Sequence, residues 1–195
     1  MRLLLTTIIL GLLLGSPVLC QPPDSTLDDN TAFYEGDKLS YVISPPDGFA
    51  LVMEDAIVDG YSFAFIPEDE TYDSATIRIG INIYRMKEGM EKDFTIDDII
   101  GDDTTAIREH FGVDIVMNEV DSVVTKKGYT IRNFFLNDTT AFIPNVMISY
   151  LDGGSEILIF DLSITDEYPR FMAEQIYMEC LELLKVLVNG TLEAG

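Results

Sequence analysis

Alternation of apolar and polar residues predicts most of the strands in this 195-residue chain. The clearest case is Thr76–Arg85, where isoleucine occupies every second position and would face one side of a sheet. Seven further strands are predicted from similar alternation or from runs rich in β-branched and aromatic residues, at residues 38–44, 49–58, 61–66, 114–125, 129–137, 146–151 and 156–164. Pro45–Gly48 is a strong turn signal that ends the first strand, and antiparallel hairpins are predicted at Asp59–Gly60 and Asp152–Gly154.

The end of the chain has the period of an amphipathic helix. Thr165 or Asp166 would be its N-cap, Pro169 is tolerated in the first turn, and the helix is expected to reach Val188. One side of this helix is apolar, and the residues on it are Met172, Ile176, Tyr177, Cys180, Leu181, Leu183, Leu184, Leu187 and Val188. Such a face has to pack on a sheet, and the preceding hairpin is the nearest one.

A second helix is predicted midway along the chain. It begins at Thr95–Asp98, which has the form of a capping box, and it ends at Gly112. An unbroken helix would turn Asp103 into its apolar stripe. We therefore expect a break at Gly101–Asp103.

The order of these elements predicts a single α+β domain. Strands follow one another without the strand–helix alternation of parallel sheets, so the sheet should be mostly antiparallel. Strands such as Phe134–Leu136 and Ile157–Phe160 are apolar on both faces, which predicts helices on both sides of the sheet, an α/β/α sandwich. The domain is expected over residues 33–190, after a flexible tether at residues 21–32 that is rich in Pro and Asp.

Residues 1–20 have the pattern of an export signal. Arg2 precedes an uncharged apolar run at residues 3–14, which is too short for a membrane span of about 20 residues. Cleavage before Gln21 is the first interpretation, and lipidation of Cys20 is the alternative, although Leu19 is a poor match to the small residue expected there. The sequence thus predicts a secreted or periplasmic protein, lipid-anchored at the envelope only if Cys20 is modified.

The charge of the chain restricts its partners. It contains 34 acidic and 12 basic side chains, a formal net charge of −22. Such a surface repels nucleic acid and anionic membranes and attracts cations and cationic partners. We therefore expect no nucleic-acid partner.

Several features together resemble the Mog1/PsbP-like fold, which includes the DcrB-type periplasmic proteins. They are the Tyr41–Phe49 opening, the isoleucine-rich strand, the helix start at Thr95–Asp98, and the later strands and terminal helix. The resemblance spans residues 38–188. It departs from the usual pattern at Phe49, where Trp is common, and at Gly101. It implies a non-enzymatic accessory or binding protein that acts through a protein partner, and a fold of this kind carries no particular reaction with it.

The inventory of catalytic groups predicts no active site. His110 is the one histidine, and Cys180 is the one thiol that remains if Cys20 leaves with the signal. We expect Cys180 to be buried and inert and His110 to lie partly exposed near a helix end. There is no nucleophile elbow or phosphate-binding loop, and histidine-based zinc sites are excluded by the number of ligands.

Two speculative binding sites remain. The polar side of the sheet would form a small ligand pocket if its strands converge there, and the residues are Arg78, Asn82, Arg132 and Asp161. The alternatives are that these side chains lie in water at strand ends, or that Arg132 and Asp161 pair.

Acidic clusters suggest Ca²⁺ as the one possible cofactor. The first consists of Glu68, Asp69, Glu70 and Asp73, and the second of Asp97, Asp98, Asp102 and Asp103. Ca²⁺ takes six to eight oxygen ligands, which acidic loops can supply, but neither cluster has the spacing of an EF-hand. The high acidity of the chain also produces such clusters without any function. A Ca²⁺-binding protein is the alternative to the accessory role.

Overall fold

Ten β-strands, three α-helices and one 3₁₀ turn form the part of the chain that the structure describes. The structure is a computed structural model that describes residues 30–36, 38–85, 95–111, 116–137 and 145–188, without the side chains of residues 110, 111, 137 and 145. The strands are β1 (Ala32–Glu35), β2 (Leu39–Ile43), β3 (Phe49–Val52), β4 (Phe63–Pro67), β5 (Ile77–Arg85), β6 (Val116–Val124), β7 (Thr130–Asn137), β8 (Asn145–Asp152), β9 (Glu156–Ile164) and β10 (Lys185–Val188). The helices are α1 (Glu54–Val58), α2 (Ile96–Phe111) and α3 (Arg170–Leu183), and the 3₁₀ turn is Tyr72–Ser74.

Seven strands form one antiparallel sheet in the order β3-β4-β5-β9-β8-β7-β6. The isoleucines of β5 alternate as expected, and Ile77, Ile79 and Ile81 are fully buried on one face. This face packs on α3, and the opposite face packs on α2 through Ile148, Ile157 and their neighbours. The predicted α+β class, with a mostly antiparallel sheet between helices, is confirmed.

A second sheet, β1-β2-β10, also covers the α3 face, and the sequence pattern did not predict it. The expected helix through Val188 is wrong, because α3 ends at Leu183 and the next residues form β10. In β10, Val186 is buried opposite Tyr41, while Leu187 and Val188 are exposed. Pairing with β2 supplies hydrogen bonds to the β10 backbone, and β-branched residues favour the extended form.

The buried face of the terminal helix overlaps the predicted one, which included Tyr177, Cys180 and Leu181, but it is rotated towards Ala173. Its buried residues are Ala173, Tyr177, Cys180 and Leu181, whereas Met172 and Leu183 are exposed. The Tyr177 hydroxyl lies 2.8 Å from the Ser149 hydroxyl and donates to the Phe160 carbonyl at 3.0 Å. These two contacts fix the rotation of the helix on the sheet.

The N-terminus of α3 also differs from the prediction. Neither Thr165 nor Asp166 caps the helix, which begins at Arg170 after Pro169. The Thr165 backbone N–H instead bonds the carbonyl of Thr76 at 2.9 Å, which ties this residue to the start of β5.

The strand predicted over residues 49–58 is only half correct. β3 ends at Val52, and the short helix α1 occupies the rest, so that β3 and β4 pair across a helical connection. Ala56 is buried in this helix, and its carbonyl accepts the backbone N–H of Tyr61 at 3.0 Å. Burial of a small residue under the sheet edge decides the conformation here.

Helix α2 is unbroken, so the expected break at Gly101–Asp103 is wrong. The capping box is present, because the Thr95 N–H donates to Asp98 at 2.7 Å and the Asp98 N–H donates back to the Thr95 hydroxyl at 3.3 Å. Asp103 does face the sheet, where it finds a hydrogen-bond partner. The cost of placing a carboxylate in an apolar stripe is thereby reduced.

Folded structure begins before residue 33. Asn30 uses both ends of its side-chain amide on the edge strand β3, donating to the Phe49 carbonyl at 2.8 Å and accepting from the Leu51 N–H at 2.6 Å. Residues 30–32, assigned above to the tether, therefore belong to the fold. The signal at 1–20 and the rest of the tether, at 21–29, lie outside the described residues.

Candidate functional site

Three of the four residues predicted to form a polar pocket lie together on the α2 face of the sheet. Register places Arg78 opposite Ser163, Gly80 opposite Asp161 and Asn82 opposite Ile159 on the central strands β5 and β9. Asn82 and Asp161 are buried, and Arg78 is partly buried. The strands thus bring these groups to one place.

The side chain of Tyr61 covers the polar groups on β5 and β9. Its ring lies directly over Gly80, where a β-carbon would overlap it, and its hydroxyl donates to Asp161 at 3.3 Å. The Ser163 hydroxyl donates to the other carboxylate oxygen of Asp161, also at 3.3 Å. On Asn82, the amide oxygen accepts the Ser62 N–H at 3.1 Å. The polar groups bond to one another and to the chain, as buried polar groups must.

Arg78 is held by two segments, the end of α1 before β4 and the 3₁₀ turn between β4 and β5. Its guanidinium forms an ion pair with Asp59 at 3.1 Å, donates to the Tyr72 carbonyl at 3.0 Å and lies 4.0 Å from the centre of the Tyr72 ring. A planar guanidinium suits this combination of stacking and forked hydrogen bonding. Arg78 therefore fastens α1 and the 3₁₀ turn to the sheet.

Arg132 lies apart from the other three. It binds both carboxylate oxygens of Glu119 on β6, at 2.7 and 3.0 Å, and its remaining amino group binds Asp97 in the first turn of α2. Hydrogen bonding from Arg132 lowers the pKa of Glu119. The alternative pair of Arg132 with Asp161 is not formed, because β8 lies between their strands.

Two residues that the sequence analysis did not assign to the polar pocket, Tyr150 and Asp103, complete the polar region. The Tyr150 hydroxyl donates to Asp103 of α2 at 2.9 Å, and Tyr150 is fully buried on β8. Burial, followed by the negative charges of Asp103 and Asp161, raises the pKa of Tyr150. The sequence analysis named Asp103 only as a member of the second acidic cluster, and the expected break in α2 gave no reason to place it against Tyr150.

Asp103 and Asp161 are two carboxylates whose charges both act on Tyr150. Burial raises the pKa of Asp103 to about 6, against the lowering effect of the Tyr150 hydrogen bond. Burial and the charge of Asp103 raise the pKa of Tyr84 to about 12. Asp161 is almost completely enclosed. Each carboxylate accepts a hydrogen bond from a tyrosine hydroxyl, Asp103 from Tyr150 and Asp161 from Tyr61, and both take part in packing on the sheet.

The first acidic cluster does not converge on a common point. Glu70 uses its two carboxylate oxygens on the backbone N–H and the hydroxyl of Thr76. Glu68, Asp69 and Asp73 are exposed. Within the described ranges, no group of three or more His, Cys, Asp or Glu side chains is arranged to hold a metal ion.

The members of the second acidic cluster also have separate partners. Asp98 caps α2 through Thr95, Asp97 binds Arg132 and Asp103 binds Tyr150, while Asp102 is exposed. These interactions stabilise the start and the packing of a helix, as acidic residues in a first turn often do.

Cys180 is fully buried, as predicted, and burial raises the pKa of its thiol to about 12. A thiol of this kind is not a nucleophile near neutral pH. The side chain of His110 and the whole of Cys20 lie outside the described part, so the predictions made for them stay predictions.

Comparison with known proteins supports the fold alone. No protein-family model matches the chain, and no curated protein matches its sequence. The solution structure of cyanobacterial PsbP (CyanoP) from Synechocystis sp. PCC 6803 is similar, with 10% sequence identity, 86% of this chain and 98% of that chain covered, and a TM-score of 0.51. The fold is therefore PsbP-like, as the resemblance implied. Among the helices in the described ranges, none has the length and apolar character needed to span a bilayer.

Proposed function

We propose that this chain is an exported, non-catalytic accessory protein of the cell envelope that acts by binding a protein partner. A PsbP-like fold is compatible with such a role but does not specify it. The chemistry of the described side chains supports it, because Arg78, Asn82, Asp161 and Arg132 are engaged in contacts that hold the fold together.

One observation carries the proposal: apolar side chains are exposed next to one another on α1. Met53, Ile57 and Val58 are 37%, 54% and 81% exposed, although they lie beside the edge of the main sheet. Exposed apolar side chains that are grouped on one element, rather than scattered singly, are typical of protein interfaces.

The charges around α1 indicate the kind of partner. Glu54 and Asp55 lie in its first turn, exposed beside the apolar residues, and the chain as a whole has a net charge of −22. A complementary surface would be apolar at its centre and carry Lys or Arg at its rim. The same charges disfavour nucleic acid and anionic lipid as partners.

The proposal is tested by affinity capture from envelope extracts of the host. The wild-type protein and the double variant Ile57→Ser, Val58→Ser are compared, with Val124→Ser as the matched control, since Val124 is 64% exposed on the far edge strand β6. We expect one partner to be retained by the wild type and the control and to be reduced at least about tenfold with the double variant, the loss expected when hot-spot side chains are removed. Absence of any partner above background with the wild type would contradict the proposal.

Export is tested separately by intact-mass spectrometry of the protein isolated from its own host. Cleavage before Gln21 or a lipid on Cys20 is the expected result. A mass that includes unmodified residues 1–20 would contradict export.

A further inference from the structure

Asp103 occupies an unusual position for an aspartate. It lies on the face of α2 that packs on the sheet, on the same side as Ile96, Ile99, Ile100 and Ile107. Beneath it are the apolar side chains of the central strands, which include Phe134, Ile148, Ile157 and Ile159. A carboxylate at such an interface loses much of its hydration, which disfavours its charged form.

The groups that face Asp103 do not neutralise its charge. Tyr150 on β8 donates a hydrogen bond to Asp103. Tyr84 on β5 lies close enough that, in addition to burial, the negative charge of Asp103 raises the pKa of its hydroxyl. On β9, the buried Asp161 acts on the same tyrosine, Tyr150. Burial, followed by the negative charge of its neighbour Asp102 on α2, favours the neutral form of the Asp103 carboxyl group, and the Tyr150 hydrogen bond favours the charged form.

The arginine that holds the start of α2 is engaged elsewhere. Arg132 on β7 binds Glu119 on β6 and Asp97 at the start of α2. Within the described residues, no Lys or Arg forms an ion pair with Asp103. The middle of α2 is therefore held on the sheet by apolar contacts, by the hydrogen bond of the Thr104 hydroxyl to Met117 on β6, and by the hydrogen bond from Tyr150 to the ionisable Asp103.

We propose that Asp103 makes the packing of α2 on the sheet sensitive to pH, with protonation holding the helix more firmly and ionisation holding it less firmly. The ion pairs of Arg132 with Glu119 and with Asp97 at the start of the helix do not involve Asp103. The pH-dependent part is the centre of the helix.

The direction follows from the two states of the carboxyl group. Its pKa is about 6 in the folded protein and 3.8 in an unfolded chain. The stabilisation that the neutral Asp103 carboxyl group provides is complete below the pKa of the unfolded chain. It is lost as the pH rises through the pKa of the folded protein. With these two pKa values, the equilibrium constant for the opening of α2 increases about tenfold between pH 5.0 and pH 7.5.

The experiment combines carboxyl-carbon NMR with hydrogen exchange on the full exported protein. The titration midpoint of Asp103 is measured directly, and amide protection in α2 is measured at pH 5.0 and 7.5 after correction for intrinsic exchange rates. We expect a midpoint near 6 and about tenfold greater protection at pH 5.0 in the wild type. A midpoint near 4 would overturn the proposal.

Three variants separate Asp103 from the other carboxylates. Asp103→Asn mimics the neutral form, so protection in α2 should no longer depend on pH. Asp102→Asn removes the same charge from the exposed neighbour and should keep the dependence. Tyr150→Phe removes the hydrogen bond that lowers the pKa, so the Asp103 midpoint should rise. Retention of the wild-type pH dependence by Asp103→Asn would overturn the proposal, and the midpoint measured in the wild type decides the matter if a variant fails to fold.

Discussion

At the scale of single residues, three buried or partly buried tyrosine hydroxyls are hydrogen-bonded by other parts of the chain. Tyr61, Tyr150 and Tyr177 each direct a hydroxyl from an apolar environment to an acceptor on another element. An aromatic ring fills the core while its hydroxyl satisfies a buried oxygen, which explains how a sheet can be apolar on both faces and still contain Asp161 and Ser149. The same side chains give the most direct tests.

Replacement of Tyr177 by Phe should destabilise the protein by about 1–3 kcal/mol. The variant leaves the ring in place but removes the contacts to Ser149 and the Phe160 carbonyl, both of which are buried. Chemical denaturation measures the change, and Tyr168→Phe on the partly buried turn before α3 is the control. An equal effect of the two variants would show that the hydroxyl of Tyr177 is not special.

At the scale of elements, two glycines should respond to alanine in opposite directions. At Gly80 on β5, a β-carbon would overlap the Tyr61 ring, whereas at Gly101 in α2 nothing lies within 4 Å. We expect Gly80→Ala to destabilise by about 2 kcal/mol, as overpacking does, and Gly101→Ala to stabilise by about 1 kcal/mol. Urea denaturation of both variants beside the wild type measures this, and a destabilising Gly101→Ala would indicate that α2 is interrupted there after all.

The elements also show how pairing overrides local preference. Residues 185–188 continue the apolar period of α3 but form β10, because β2 offers an unpaired edge and Val186 becomes buried there. Residues 54–58 read as a strand but form α1, which buries Ala56. In both cases an interaction with a distant part of the chain decides between two conformations that the local sequence allows.

At the scale of the whole molecule, repulsion among the excess negative charges should lower the thermal stability measurably. With a net charge of −22, the compact state holds like charges close together, and dissolved salt screens them. We expect the thermal midpoint at pH 7.5 to rise when NaCl is increased from about 10 to about 150 mM, as the Debye length falls from about 30 to about 8 Å.

The control for this salt effect uses the titration of the protein itself. Near pH 5, closer to the isoelectric point of about 4.1, the net charge is smaller, so the same increase in salt should raise the midpoint less. A midpoint that falls with salt at pH 7.5 would mean that attractive ion pairs, such as those of Arg132, outweigh the repulsion.

The sequence alone determined those features that depend on neighbours in the chain. Alternation located β5, and a run of apolar and β-branched residues located β9. Glycine and proline located the turns at Pro45–Gly48 and Asp152–Gly154, and a capping box located the start of α2. It also identified the face shared by Arg78 and Asn82, since side chains two or four apart on a strand point the same way. The PsbP-like arrangement followed from the order of these elements.

Only the tertiary structure decided what depends on residues far apart in the chain. Asp103 faces the sheet within an unbroken helix, because Tyr150, 47 residues later in the chain, donates a hydrogen bond to its carboxylate. Arg132 binds Glu119 and Asp97 because strand order places β6, and not β9, beside it. Local patterns fix the direction in which a side chain points, but the free energy of burying a charged or polar group depends on which partner folding brings within reach.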